Sequence, residues 1–477
     1  MQRLKQLFMP RDLTQGSPAK GILLFAIPLL IGNFAQQLYN AVDAIVVGQY
    51  ISDAALGAVG LTGPILNLML VLFMGISTGA SIVVSQYFGA KNRLELSRAV
   101  GSTLSLTFWS GLIITVVGMS ITKPLLVLLG TPAEMLDMAV DYLVIIFLGF
   151  TACAFYNILG GILRGLGDSV SPLLYLLLAA GLNIGLDIIS VTALGMKTDG
   201  VALATIISQG VSAILCYRKL RSMTHILDVN KSTLHLDKPS AKRIISLGLP
   251  SGVAQMIFSI SSVLVQSLTN TLGPNVVTAA TAVMRVDGFT MLPNFTFTIA
   301  ATTFTGQNVG ARRMDRVRQG VRATLLIGLS TATVLTLCIL FFGGALLRVF
   351  TQTTEIVELG LSMMRMLAVG YIAFCCTQVL MGVMRGAGET LRPMWISLIT
   401  TVGIRMPVAY LWAYLTRSPQ HPNGDPICLY GSLLVAWLLG CLITIGVYRH
   451  GTWRRHSLTG AEGDSSAPEI LIPEGGF

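Results

Sequence analysis

The side chains with the most chemistry to offer are few, and they lie in apolar surroundings. Asp43 sits in LYNAVDAIVVG (Leu38–Gly48), within a largely apolar run from Ile22 to Tyr50. A carboxylate at membrane depth is costly without partners or water, and such a residue marks a functional site. On its helical face the nearest polar neighbours are Tyr39, Asn40 and Gln36, one and two turns back. A second cluster lies in GLNIGLDII, where Asn183 and Asp187 at i, i+4 share a face. Thr205 follows in VALATIISQ. Counted from the ends of their apolar runs, Asp43, Asp187 and Thr205 reach nearly the same depth, within a few Å at 1.5 Å per residue. One pocket can hold all of them. Two carboxylates, an amide and a hydroxyl are suited to carrying a proton as a unit. The same oxygens are hard ligands that suit Na+, a possible metal site at Asp43, Asn183, Asp187 and Thr205.

Other chemistries are missing from the chain. There is no G-x-x-x-x-G-K-[ST] for ATP and no H-E-x-x-H for zinc. Gly75–Gly79, GISTG, has the G-x-S-x-G spacing. It lies inside a membrane run with no strand before it, and is read as a chance match. None of the five histidines falls in an apolar run. No nucleophile–base set emerges, so an enzyme is not expected, and no cofactor beyond H+ or Na+ as coupling ion.

The elements that must position these residues are transmembrane helices. Of 477 residues, 53% are hydrophobic and 11% charged, with a mean hydropathy of +0.72. A soluble domain carries about 25% charged residues. The net charge of +10 then reflects loops facing anionic lipid, and nucleic acid is not an expected partner. Twelve apolar segments of spanning length can be counted: 21–48, 55–86, 99–120, 139–162, 172–194, 199–217, 244–269, 275–305, 320–343, 361–383, 393–415 and 429–449. The loops and termini on one side hold 24 Lys and Arg, against four on the other. This predicts a multi-pass protein of the cell (plasma or inner) membrane with both termini cytoplasmic.

An internal repeat sets the architecture. GILRGLGDSVSP (Gly161–Pro172) returns as GVMRGAGETLRP (Gly382–Pro393), an offset of 221, and SQYFGAKN (Ser85–Asn92) returns as GQNVGARR at the same offset. Pro28 and Pro250 match at 222. The expected fold is all-α, with two parallel six-helix bundles related by a pseudo-twofold axis along the membrane normal. The expected divisions are 1–217, a basic cytoplasmic linker 218–243, 244–450 and a cytoplasmic tail 451–477. A transport pathway between the bundles follows. Gly161–Gly165 and Gly382–Gly386 are repeat-equivalent G-x-x-x-G pairs, expected as packing or bending points; Gly181–Gly185 and Gly306–Gly310 share the spacing.

The second half lacks both carboxylates: the offset carries Asp43 to Leu264 and Asp187 to Val408. It has instead Arg285, Asp287 and Arg405, with an Asp287–Arg405 ion pair the favoured expectation and substrate contact the alternative. Met256, Met284, Met291, Met363, Met364 and Met366 are candidates to line an adaptable cavity, or simply apolar filler.

Over nearly its whole length the chain resembles the multidrug and toxic compound extrusion (MATE) transporters, on the six-plus-six spans, the basic linker and the RG-x-G-D/E turns. LYNAVDAIVVG resembles the first-helix motif of that family, and Asn183, Asp187 and Thr205 resemble the pocket of its DinF-like branch. The resemblance implies an ion site of Asp43, Asn183, Asp187 and Thr205 with Tyr39 adjacent, and a bendable helix at Pro28. Arg164 and Arg385 of the repeated turns join the conformational candidates. It also implies secondary antiport of organic, cationic and amphipathic solutes by a monomer, driven by protons or sodium. A lipid-linked saccharide flippase of the same superfamily is the alternative, and a channel or receptor the alternative from another class.

Overall fold

The computed structural model describes residues 10–230, 233–419, 421–451 and 453. Arg3, Lys5, Lys231, Ser232 and the tail from Arg454 onward, with its Arg454 and Arg455, lie outside them. Twelve helical spans run in chain order: α1 Pro18–Tyr50, α2 Asp53–Gly89, α3 Arg93–Leu128, α4 in two pieces (Ala133–Leu148 and Phe150–Gly165), α5 Val170–Ala193 and α6 Thr198–Arg221. The second six are α7 Lys238–Thr271, α8 Pro274–Gly310, α9 Met314–Arg348, α10 Thr354–Gly386, α11 Leu391–Leu415 and α12 Ile427–Arg449. Among the described residues ten helices are long and apolar enough to cross a membrane, and the bent α4 makes eleven. The remaining one, α8, has 37 residues but carries Arg285, Asp287 and a thread of Thr and Asn. Large apolar side chains such as Leu128, Phe341 and Leu415 point outward, as a lipid-facing surface requires.

Local chemistry sets the helix ends. Ser52 accepts from Ala55 N at 3.1 Å, Asn92 from Glu95 N at 3.1 Å and Asp237 from Ser240 N at 3.0 Å. The repeated RG-x-G-D/E turn has the same logic in both halves. Gly167 and Gly388 take φ values of +87° and +96°, where a side chain would be strained. The acid that follows caps the next helix: Asp168 accepts from Val170 N and Ser171 N, and Glu389 from Arg392 N. Burial pushes the Asp168 carboxyl above the usual range, opposed by its bonds from Ser171.

The expected spans are shorter than the helices, and three are irregular. α4 bends by 52° at Gly149. α5 ends in a π-helical stretch, Ile189–Ala193, and α11 contains another, Ile399–Arg405. The linker is not loose. α6 runs on to Arg221, Met223 and Leu227 enter the core of the first half, and Asp228 pairs with Arg93 at 2.6 Å.

The two bundles exchange helix ends. The first part of α1 (Ile22, Phe25, Ala26, Leu29) and Leu13 before it join the core of the second half, α1 packing on α8 and α9. The first part of α7 (Ile244, Leu247) joins the core of the first half, packing on α2 and α3. The far ends return to their own halves, Val47 beside Tyr142 and Val265 beside Ala279. Leu13 and Trp453 share one cluster, so both ends of the described chain lie on one face. GISTG has a structural reason after all: a Cβ at Gly79 would lie 2.3 Å from the Ile244 carbonyl oxygen, and one at Gly248 would lie 2.6 Å from that of Gly75. The motif lets α2 and α7 cross backbone to backbone.

Candidate ion-coupling site

Four helices of the first half converge in the third of the membrane farthest from the termini. α1 brings Tyr39 and Asp43, α4 brings Tyr142, α5 brings Asn183 and Asp187, and α6 brings Thr205. Asn183 and Asp187 are wholly buried. Asp187 stands two residues before the π-helical stretch Ile189–Ala193 begins, with Ser190 Oγ turned back to donate to Leu186 O at 2.5 Å. A π turn inserts one residue and is found at functional sites.

The carboxyls of Asp43 and Asp187 meet within hydrogen-bonding reach. Yet Oδ1 of each is buried and has no donor. Two carboxylates cannot bond to one another; a carboxylic acid and a carboxylate can. The rest of the pocket is oriented around the pair. With its nitrogen toward Asp187, the Asn183 amide donates to Asp187 Oδ2 at 3.2 Å and accepts from Thr205 N at 3.3 Å. The reverse orientation offers only a 3.5 Å contact to Thr205 Oγ1, so the network selects the first. Thr205 Oγ1 donates to Val201 O at 3.0 Å, and the Tyr39 hydroxyl lies near it. The buried Tyr142 lies near both carboxyls.

The structure therefore brings Tyr39, Asp43, Asn183, Asp187 and Thr205 together. Gln36 and Asn40 stay outside: Gln36 Nε2 donates to Asn40 Oδ1 at 3.2 Å on an exposed face. At 100° per residue Tyr39 and Asn40 flank Asp43 on opposite sides, and only the Tyr39 side turns inward. Tyr142 escaped the sequence reading because nothing in DYLVIIF marks it; only the bend of α4 brings it here.

In the second half the expected Asp287–Arg405 ion pair does not form. Asp287 instead accepts from the Tyr371 hydroxyl on α10, with Tyr430 beside it. Arg405 ends the π-helical part of α11 near Tyr430, its Nε buried without a partner. The packing of α8 against α10 puts a phenol on the carboxylate before α11 can reach it. Arg285 and Met284 are exposed, Met256 half-buried, and Met291 and Met366 pack at the margin of an apolar cluster. Met363 and Met364 are core residues, 1% and 0% exposed, so neither lines a cavity. Phe374 and Trp437, at 4.9 Å, extend the aromatic wall from Tyr371.

The glycines of the repeated turns pack. A Cβ at Gly161 would lie 2.2 Å from Ser77 Oγ, and one at Gly382 would lie 2.6 Å from Thr298 O. Gly165 and Gly386 meet the carbonyl oxygens of Ser81 and Thr302. Gly181 and Gly185 face open space, so spacing alone did not make them contacts. Arg164 and Arg385 end α4 and α10, and Arg385 Nε is buried without a partner.

The MatE family model matches the chain twice, over residues 28–189 and 250–411. The chain belongs to the MATE family of membrane transporters. The two matched segments are offset by 222, like Pro28 and Pro250. The chain is 27% identical over 468 residues to the probable multidrug resistance protein YoeA of Bacillus subtilis, covering 96% of this chain and 99% of that protein. It is 26% identical over 346 residues to DNA damage-inducible protein F of Escherichia coli, covering 72% and 75%. Among solved structures, an outward-facing multidrug resistance MATE transporter superposes with a TM-score of 0.85 at 24% identity, covering 94% of this chain and 99% of that one. This MATE chain thus has the fold its repeat implied.

Proposed function

We propose that this MATE protein is a secondary antiporter that exports organic, cationic and amphipathic compounds in exchange for protons, by alternating access. The observation that carries the proton is the contact of Asp43 with Asp187, two carboxyls that each keep a buried Oδ1 without a donor. One shared proton completes that contact. Sodium has oxygen ligands in reach, but the Asn183 amide turns its nitrogen and not its oxygen to Asp187. That orientation suits a protonated pair better than a metal ion.

The pair takes a proton when the pocket faces out and releases it when the pathway opens to the cytoplasm. Each charge moved through ~100 mV yields about 2.3 kcal/mol. That sustains a roughly 50-fold solute gradient at about 1.4 kcal/mol per tenfold. Asp287, with the aromatic wall of Tyr371, Phe374 and Trp437, is the second-rank candidate for solute contact. The loop charges favour cytoplasmic termini and linker, and a monomer suffices because the pathway lies within one chain.

The test is dye efflux from proteoliposomes with proton and sodium gradients imposed separately. Efflux against a dye gradient under the proton gradient alone is expected; efflux that responds only to sodium sinks the proton reading, and pure dissipation of the gradient points to a channel. For orientation, a cysteine at the exposed Arg221 is expected to resist an impermeant thiol reagent applied to intact cells. Labelling there would invert the topology.

A further inference from the structure

Where the two halves meet near the termini, α2 and α8 cross with a symmetry that the sequence offset predicts residue for residue. Gln86 Nε2 donates to Gly386 O at 2.9 Å, and Gln307 Nε2 donates to Gly165 O at 3.1 Å. Gln86 and Gln307 stand 221 apart, as do Gly165 and Gly386. The backbones interlock in the same way. A Cβ at Gly89 would lie 1.9 Å from the Gln307 carbonyl oxygen, and one at Gly310 would lie 1.9 Å from that of Gln86. Both glutamines are wholly buried.

The bonds are of a particular kind. Gly165 is the last residue of α4 and Gly386 the last of α10. Their carbonyls belong to the helix ends that find no partner within the helix. Each glutamine thus caps a helix of the opposite half. When the halves part, water can take over both the amide and the carbonyl. Such a contact closes the pathway yet costs little to release.

The segment before α1 adds to the Gln307 contact. Leu13 N donates to Gln307 Oε1 at 2.9 Å, and Leu13 O accepts from Asn308 Nδ2 and Arg316 Nη2, both at 3.2 Å. Arg11 N donates to Gly167 O at 3.3 Å in the first half. The segment therefore straps one half to the other across the Gln307 contact, and it continues into α1, which carries Asp43.

We propose that Gln86 and Gln307 are the paired latches of the cytoplasmic gate, the second of them tied to the Arg11–Gln15 strap. The proposal rests on the alternating-access reading. Spin labels at Leu94 and Asp315, exposed and repeat-equivalent at the starts of α3 and α9, report the separation at the gate. Labels at Tyr50 and Thr271 report the opposite end. Pulsed dipolar distances are measured on the full chain, in a background whose seven native cysteines are replaced and whose transport is verified.

Gln86→Ala is expected to raise the ratio of gate-open to gate-closed molecules roughly two- to tenfold, the range of one hydrogen bond. Gln307→Ala is expected to raise it as well. The Tyr50–Thr271 distance should shorten as the gate distance lengthens, which mere loosening of the fold would not do. Gly89→Ala, which drives a methyl into the Gln307 carbonyl, is expected to abolish the closed population. Should an alanine variant fail to fold, Gln307→Glu keeps an acceptor for Leu13 N and sets a carboxylate oxygen against Gly165 O in place of the donor; it is expected to open the gate too. Unchanged distances in folded Gln86→Ala and Gln307→Ala, or in Gln307→Glu, overturn the latch. Shifted distances in a protein that transports nothing uphill would sink the antiport reading and leave the latch standing.

Discussion

The two halves are alike where they touch and unlike where they hold polar groups. At the gate each residue has its counterpart 221 positions on: Gln86 and Gln307, Gly89 and Gly310, Gly165 and Gly386. Two-thirds of the way across the membrane the match fails. Asp43 faces Asp187 in the first half, and their counterparts Leu264 and Val408 are apolar. The reason is mechanical. A twofold contact between halves needs the same surface on both, so changing one partner alone breaks the closure. A pocket inside one bundle is under no such demand.

The sharpest way to break this comparison is to neutralise the pocket. Asp43→Asn is expected to abolish proton-driven efflux with expression and thermal stability retained, and Asp187→Asn to do nearly the same, both read by dye efflux in proteoliposomes. Leu264→Asn places the same amide at the equivalent site and is expected to leave efflux close to wild type. Wild-type pumping with unchanged pH dependence in both aspartate variants would remove the pocket from coupling and make Asp287 the leading candidate.

Next in size is the packing of the repeated turns. Gly161→Ala and Gly382→Ala each push a methyl into the neighbouring helix, at Ser77 and Thr298. Each is expected to cost about 1–3 kcal/mol of stability, and by similar amounts, in denaturation of the detergent-solubilised protein. A large inequality between them would show that the halves are less alike than their backbones.

Thr205→Ala removes the hydroxyl that donates to Val201 O but leaves both carboxyls. A loss of about 0.5–1.5 kcal/mol predicts a several-fold fall in efflux rate, with the response to external acidification kept in sign: efflux rises as the outer face is acidified. The smallest effect on coupling is expected from Asp287→Asn. It should change apparent dye affinity while the pH profile stays put; a displaced profile would make the second half a partner in proton transfer.

The sequence by itself determined the twelve spans, the duplication and the pocket residues Asp43, Asn183, Asp187 and Thr205. Each is a local property: apolar length, a fixed offset, or a polar group at a countable depth in a helix of known rise. Tertiary structure alone decided that α1 and α7 lend their first turns to the opposite core, because helix direction leaves free which neighbour a helix end meets. It decided that Tyr371 and not Arg405 reaches Asp287, since a contact across three helices depends on their rotation about their own axes. It also gave GISTG its packing role and brought Tyr142 to the carboxyls through the bend at Gly149. Glycines and tyrosines in apolar runs look alike along the chain, and only the crossing of helices tells which of them touch.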